Sequence, residues 1–185
     1  MGKNDVAIIV GSSSDLILAK ETVNVLKEFE LSYSLDIASA HRTEEYLKQC
    51  VEGAISAGVK VFIAIAGMAA ALPGVIASHT ILPVIGVPVD GKNLFGLDSL
   101  FSMAQMPKGV PVATVALGKA GAINAAILAV QIVAISDDGL KEKLKKHKEK
   151  IAEAVIKEDL KLQKDGIDKY LERLNKQNDR NYIKC

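Results

Sequence analysis

The sequence predicts an α/β protein in which a parallel sheet is buried between two layers of helices, and three observations carry that prediction. Five short apolar runs are each followed by a turn and a helix-patterned segment, the alternation expected of repeated β-α units. Apolar residues make up 49% of the 185-residue chain and aromatics only 4%. The core must therefore be built of Ala, Val, Ile and Leu, the palette of strands covered on both faces. Finally, Val61 to Val89 contains no Asp, Glu, Lys or Arg. That run is long enough to cross a bilayer, but Gly67, Pro73, Gly74, Pro83, Gly86 and Pro88 break it into strand, turn, short helix and strand. It reads as a buried β-α-β passage, and no membrane partner is expected.

The first strand is Asp5 to Val10. Gly11 ends it, and Ser12-Ser13-Ser14-Asp15 leads into a helix carrying Leu16, Ile17, Ala19, Val23, Val25, Leu26 and Phe29. The turn offers hydroxyls and the free N–H groups of a helix N-terminus, where the macrodipole favours an anion such as phosphate. Ser14 or Asp15 could equally serve only as the helix cap. A carboxylate at Asp15 would repel phosphate but could accept hydrogen bonds from a sugar hydroxyl beside it. A second strand, Tyr33 to Ala38, ends at Ser39-Ala40-His41-Arg42, and a helix from Glu44 to Ala57 follows, closed by Gly58. A titratable imidazole and a fixed cation thus share one strand-to-helix turn. Ligands of open α/β sheets collect beyond the carboxyl ends of the strands, a favourable address for chemistry. A lone loop histidine is nevertheless more often capped or solvated than catalytic.

Val59 to Ala66 is the third strand, delivering Gly67 to Gly74, a turn of small residues that lets another molecule approach the backbone closely. Small residues serve tight subunit packing equally well. Pro83 to Pro88 is the fourth strand, Gly91 to Gly96 a loop, Leu97 to Ala104 a short helix and Gln105 to Gly109 a loop. Val110 to Val115 is the fifth strand, and Gly118 opens a helix running to about Ile135. Between Ala120 and Ile135 only Asn124 and Gln131 are polar. A helix apolar almost all round should be buried, and a domain this small rarely encloses one alone, so a homo-oligomer is expected.

From Asp137 the character changes. Leu140, Leu144, Ile151 and Val155 form one stripe amid Lys and Glu, and Ile167, Tyr170, Leu171 and Leu174 a second after Gly166. These predict amphipathic helices laid over the body or a neighbour, with Asn175 to Cys185 frayed and His147 solvated. The division is therefore a catalytic α/β domain over 1–140 and a charged helical extension over 141–185. Residues 141–185 carry 14 Lys and Arg against 9 Asp and Glu, leaving 9 against 13 before them. An acidic body poor in aromatics argues against a nucleic-acid groove. Cys50 and Cys185 are single and far apart, without metal-ligand spacing, as expected of reduced cytoplasmic thiols. The amino terminus enters a strand without a signal-peptide core, and Val6 stands where myristoylation needs Ser or Thr.

Five β-α units with an anion-type turn after the first strand indicate a flavodoxin-like three-layer sandwich of strand order 2-1-3-4-5. That order brings the turns at Ser12–Asp15, Ser39–Arg42 and Gly67–Gly74 around one crevice.

Those turns also carry a resemblance. Gly11-Ser12-Ser13-Ser14-Asp15, Ser39-Ala40-His41-Arg42-Thr43 and Ala70-Ala71-Leu72-Pro73-Gly74 occur in order with Leu82-Pro83-Val84-Ile85-Gly86-Val87-Pro88-Val89, Asp98-Ser99-Leu100, Gln105-Met106-Pro107 and Gly118-Lys119-Ala120-Gly121. Each motif is weak alone. In combination over about residues 5–145 the chain closely resembles the N5-carboxyaminoimidazole ribonucleotide mutases of purine biosynthesis, the class acting on the N5-carboxylated substrate. The charged segment after Lys150 is longer than the resemblance leads one to expect. The resemblance implies a cofactor-free, metal-free shift of a carboxylate from the exocyclic nitrogen to ring carbon 4, in active sites between subunits of an octamer. It implies that Ser12, Ser14, Asp15 and Arg42 bind the ribonucleotide, that Ser39, Gly67, Ala71 and Leu72 line the site, and that His41 is the general acid and base. Carbon dioxide would be held in a small, dry pocket of Gly and Ala backbone with Leu72. One departure stands out: Ala71 occupies a position that in the family is usually His, and His79 lies in a different element with no basis for taking its role. A ribonucleotide-binding homologue without turnover is the alternative this leaves, and a flavin module is disfavoured because Trp is absent and Tyr scarce.

Overall fold

The computed structural model describes residues 4–91 and 94–182, with side chains described to residue 175. The chain divides into two compact units, Met1–Lys141 and Glu142–Cys185. The first holds five strands: β1 Val6–Val10, β2 Tyr33–Ile37, β3 Val61–Ala66, β4 Val84–Pro88 and β5 Ala113–Thr114. All pair in parallel in the order β2-β1-β3-β4-β5, as predicted. β1, β3 and β4 are buried throughout, which is why they are continuous apolar runs rather than alternating ones.

Helices α1 (Leu16–Glu28), α2 (Glu44–Ser56), α3 (Leu72–His79), α4 (Leu97–Ala104) and α5 (Gly118–Ala134) follow the strands in turn. Side chains alternate across a strand, so β1 sends Ala7 and Ile9 into one layer with Leu47 and Val51 of α2, Leu72 and Ile76 of α3 and Met103 of α4. The opposite face meets α5, which packs on β3, β4 and α1. Thr22 of α1 donates to the buried carbonyl of Ala122 at 3.0 Å, and Lys119 pairs with Glu21 at 3.0 Å.

Three boundaries differ from expectation for identifiable reasons. The strand expected over Val110–Val115 forms a ladder only at Ala113–Thr114. Pro111 has no N–H to give, and the amide of Val110 is turned back to Pro107 at 3.2 Å. The small-residue turn ends at Ala71, because Leu72, Pro73 and Gly74 are already the first turn of α3, where proline's missing donor costs nothing. Third, its own chain encloses much of α5, though Ile123, Ile127, Leu128 and Ile132 stay half-buried. Gly121, Ala122, Ala125, Ala126, Ala129, Val130 and Val133 are buried by this chain alone, since their small side chains let α1 and the sheet approach closely. Ile135, just beyond, is 75% exposed.

The second unit contains most of α6 (Asp138–Asp165) and all of α7 (Ile167–Tyr182). Gly166, at φ 74°, takes the left-handed conformation that ends α6, and Tyr170 donates back to Glu158 at 2.8 Å. His147 is half-buried rather than solvated. The tail expected to fray from Asn175 continues as helix to Tyr182. Lys92 and Asn93 of the expected Gly91–Gly96 loop, Cys185, and the terminal Met1, Gly2 and Lys3 lie outside the described residues. Among the described residues no helix is long and apolar enough to cross a membrane.

Candidate active site

Strand register builds the site. Val10 is level with Ile37 on one side and Ile65 on the other, and Ala66 is level with Pro88. Backbone bonds carry the ladder one step further: Ala38 to Val10 (2.9 Å), Gly11 to Ile65 (3.0 Å) and Val89 to Ala66 (3.0 Å). The loops that follow these strands therefore start side by side and enclose a cleft of about 640 Å³. Ser12, Ser14, Asp15, Ser39, His41, Arg42, Gly67, Ala71 and Leu72 all line it.

The first loop resolves the question of capping. Ser12, in extended conformation, accepts from the amide of Ser14 at 3.4 Å and so caps the 3-10 turn Ser13–Asp15 that precedes α1. Asp15 makes no side-chain cap. The Ser14 hydroxyl lies 3.0 Å from Ser12 Oγ and 3.2 Å from an Asp15 carboxylate oxygen. Asp15 is 8% exposed, and burial pushes its carboxyl above the usual range, with the Ser14 hydroxyl and the Ser12 backbone offsetting only part of that rise. Hydroxyls thus face a largely buried carboxyl, an arrangement suited to sugar hydroxyls beside an anion.

The second loop is laced to its own ends. Thr43 Oγ1 accepts from the amide of Ser39 at 2.9 Å and donates to the Ser39 carbonyl at 3.2 Å, while the Thr43 amide bonds the same carbonyl at 2.9 Å. Arg42 Nε donates to Ser39 Oγ and its Nη2 to the Gly11 carbonyl, both at 3.3 Å. The guanidinium therefore bridges the second loop to the first while remaining exposed. Arg42 is the only Lys or Arg among the described lining residues, and His41 beside it is also exposed.

The third loop supplies an apolar wall. Gly67 runs so close to Val89 that a Cβ would sit 3.2 Å from Val89 Cβ. Met68 takes a left-handed φ of 58° without being glycine, and its side chain is 78% exposed at the cleft. Ala69 and Ala70 follow, and Ala71 stands at the N-cap of α3 without capping it. At the position where the resemblance expects an imidazole, the wall is a methyl group.

Sequence reasoning assigned no role to Val89 and Gly91, which also line the cleft. Their signal was positional, since the end of a central strand faces the same crevice as its neighbours. His79 is not in the cleft; it borders a separate depression with Ile55, Val59 and Leu82. Among the described residues no group of three His, Cys, Asp or Glu could hold a metal ion.

Fold and cleft together define a flavodoxin-like α/β protein with a ligand crevice at its topological switch point, where the chain leaves β2 and β1 for β3. The AIR carboxylase family matches residues 5–154. The N5-carboxyaminoimidazole ribonucleotide mutase of Pyrococcus abyssi is 49% identical over 172 residues, covering 93% of this chain and 98% of the relative. That span carries the similarity into the charged extension, beyond the region where the motifs lie. The Bacillus subtilis enzyme of the same name is 48% identical over 82% of this chain and 93% of its own. The crystal structure of Treponema denticola PurE superposes with a TM-score of 0.78 at 31% identity, covering 85% of this chain and 97% of that one. The chain belongs to the AIR carboxylase family.

Proposed function

We propose that this protein is an N5-carboxyaminoimidazole ribonucleotide mutase, moving the substrate's carboxylate from the exocyclic nitrogen to ring carbon 4 in purine biosynthesis. The observation that carries this reading is the meeting of three loops at one cleft, His41 and Arg42 on one and Ser12 to Asp15 on another. The name shared by the relatives supports it.

Ser12, Ser14 and the N-terminus of α1 take the phosphate, a helix end contributing roughly 0.3–1 kcal/mol to an anion. Asp15 accepts from ribose hydroxyls, and Arg42 pairs with the migrating carboxylate. Cleavage of the N–C bond leaves its electrons on nitrogen, which needs a proton, and releases carbon dioxide. Attack by carbon 4 on that carbon dioxide forms the C–C bond, and the ring regains aromaticity by losing the proton on carbon 4. His41 gives the first proton and takes back the second, so the isomerisation balances with no net proton; an imidazole has one ring nitrogen to donate and one to accept. Ser39, Gly67, Ala71 and Leu72 wall the space where carbon dioxide waits, and excluding water there favours recapture over escape. With Ala71 in that wall, His41 carries the proton traffic without a second histidine.

The working form is a homo-octamer in the cytoplasm, where a phosphorylated ribonucleotide is retained. The exposed Ile17, Ile81, Phe95 and Ile135 of the first unit supply apolar surface for subunit contacts. Isomerisation of the N5-carboxylated ribonucleotide by purified protein, without ATP, tests the activity; ribonucleotide binding without turnover would instead mark a non-catalytic homologue.

A further inference from the structure

We infer that Thr43, which nothing above assigns to the cleft's chemistry, is the positioning residue that sets the loop carrying His41 and Arg42. Thr43 is the N-cap residue of α2, and threonine in that place ordinarily turns its hydroxyl toward the helix to satisfy a free amide, a contact worth roughly 1 kcal/mol. Here it makes no such cap. The hydroxyl points backward instead, accepting from the Ser39 amide at 2.9 Å and donating to the Ser39 carbonyl at 3.2 Å. With the Thr43 amide also on that carbonyl at 2.9 Å, both polar groups of the Ser39 backbone are tied to one residue.

Two bonds extend the effect. Ser39 Oγ, so placed, receives Arg42 Nε, and Arg42 Nη2 reaches the Gly11 carbonyl of the first loop, both at 3.3 Å. The path from Thr43 through Ser39 and Arg42 to Gly11 is thus continuous across the mouth of the cleft. His41 sits inside the closed loop between the two latched ends. Without the hydroxyl, Ser39 keeps a single backbone bond to Thr43, and the loop gains freedom at the residues whose placement governs proton transfer. A displacement of about 1 Å at such a site can cost on the order of 100-fold in rate. Helix α2 loses no cap, because none is made, so the change registers in the loop and leaves overall stability nearly unchanged.

This inference rests on the mutase reading, and its test separates the two. Full-length protein and the variants Thr43→Val and Thr43→Ser are compared by isomerisation rate, by calorimetric affinity for the 4-carboxy-5-aminoimidazole ribonucleotide, and by melting temperature. The expected result is a loss of roughly 10- to 100-fold in kcat for Thr43→Val, a smaller loss of affinity, an almost unchanged melting temperature, and near-parental values for Thr43→Ser. Thr43→Ala makes the same comparison should the valine variant fail to fold. Parental kcat and affinity in the valine or alanine variant, or equal damage in the serine variant, would overturn the inference. If the parent binds ribonucleotide without isomerising it, the mutase reading fails, and the affinity comparison alone decides the role of Thr43.

Discussion

His41 and Arg42 lie on the same loop, yet the structure gives them unequal constraints. Arg42 is held by Ser39 and Gly11, whereas His41 projects as an exposed side chain at the cleft. That difference predicts separable effects. Arg42→Ala should weaken ribonucleotide binding about tenfold or more, the scale of a charge-assisted hydrogen bond, in a titration with product. His41→Asn should instead abolish detectable turnover while product affinity stays within a few-fold of the parent. Asp15 makes a third prediction, in which the sign matters. A carboxyl raised above its ordinary value of 3.8 is less favourable charged in the fold than in the unfolded chain. Its penalty is therefore present at neutral pH and is relieved as pH falls through the raised value toward the ordinary one. Asp15→Asn should melt higher than the parent at pH 7, lose that advantage when both are melted near pH 4, and bind ribonucleotide more weakly. Met68, strained at φ 58°, should tolerate glycine without loss of stability, because the left-handed penalty of about 1–2 kcal/mol offsets glycine's entropic cost.

Among the elements, α5 is the most tightly constrained by its glycines. A Cβ at Gly121 would lie against the Ala116 carbonyl oxygen, far inside contact distance, and the collision is with backbone that has no rotamer to escape into. Gly121→Ala should destabilise the fold by about 3 kcal/mol or more, read as a lowered denaturant midpoint. This constraint was hidden in the sequence, where Gly118-Lys119-Ala120-Gly121 reads as the opening of a helix and as one motif of the resemblance. Strands β1, β3 and β4 were legible because uninterrupted Val, Ile and Ala runs occur where both faces are covered, and the turns after them because Ser-rich and Gly-rich punctuation interrupts those runs. The length of β5 was not, since the apolar pattern of Val110–Val115 persists through Pro111 while the pairing does not. Nor was the burial of α5 by its own chain, which depends on how closely alanine lets α1 approach.

At the scale of the whole molecule, strand order turns separate motifs into a site: β2-β1-β3 adjacency places the three loops within one cleft although Ser12 and Leu72 are far apart in sequence. Every residue expected at the site lines that cleft: strand order brings the three loops together, while the choice of residues within them came from the resemblance. Thr43 escaped notice. Its hydroxyl could have capped α2, and only the observed hydrogen bonds show it facing backward. The proposed octamer predicts a light-scattering mass near eight chains; a single-chain mass at micromolar concentration would contradict it. The central claim is tested most directly by incubating the purified protein with N5-carboxyaminoimidazole ribonucleotide, without ATP, and following the ribonucleotides by chromatography. Conversion to the 4-carboxy isomer by the parent, and none above background by His41→Asn, is the expected result. Equal conversion by both, or ribonucleotide binding with no conversion by the parent, would contradict it.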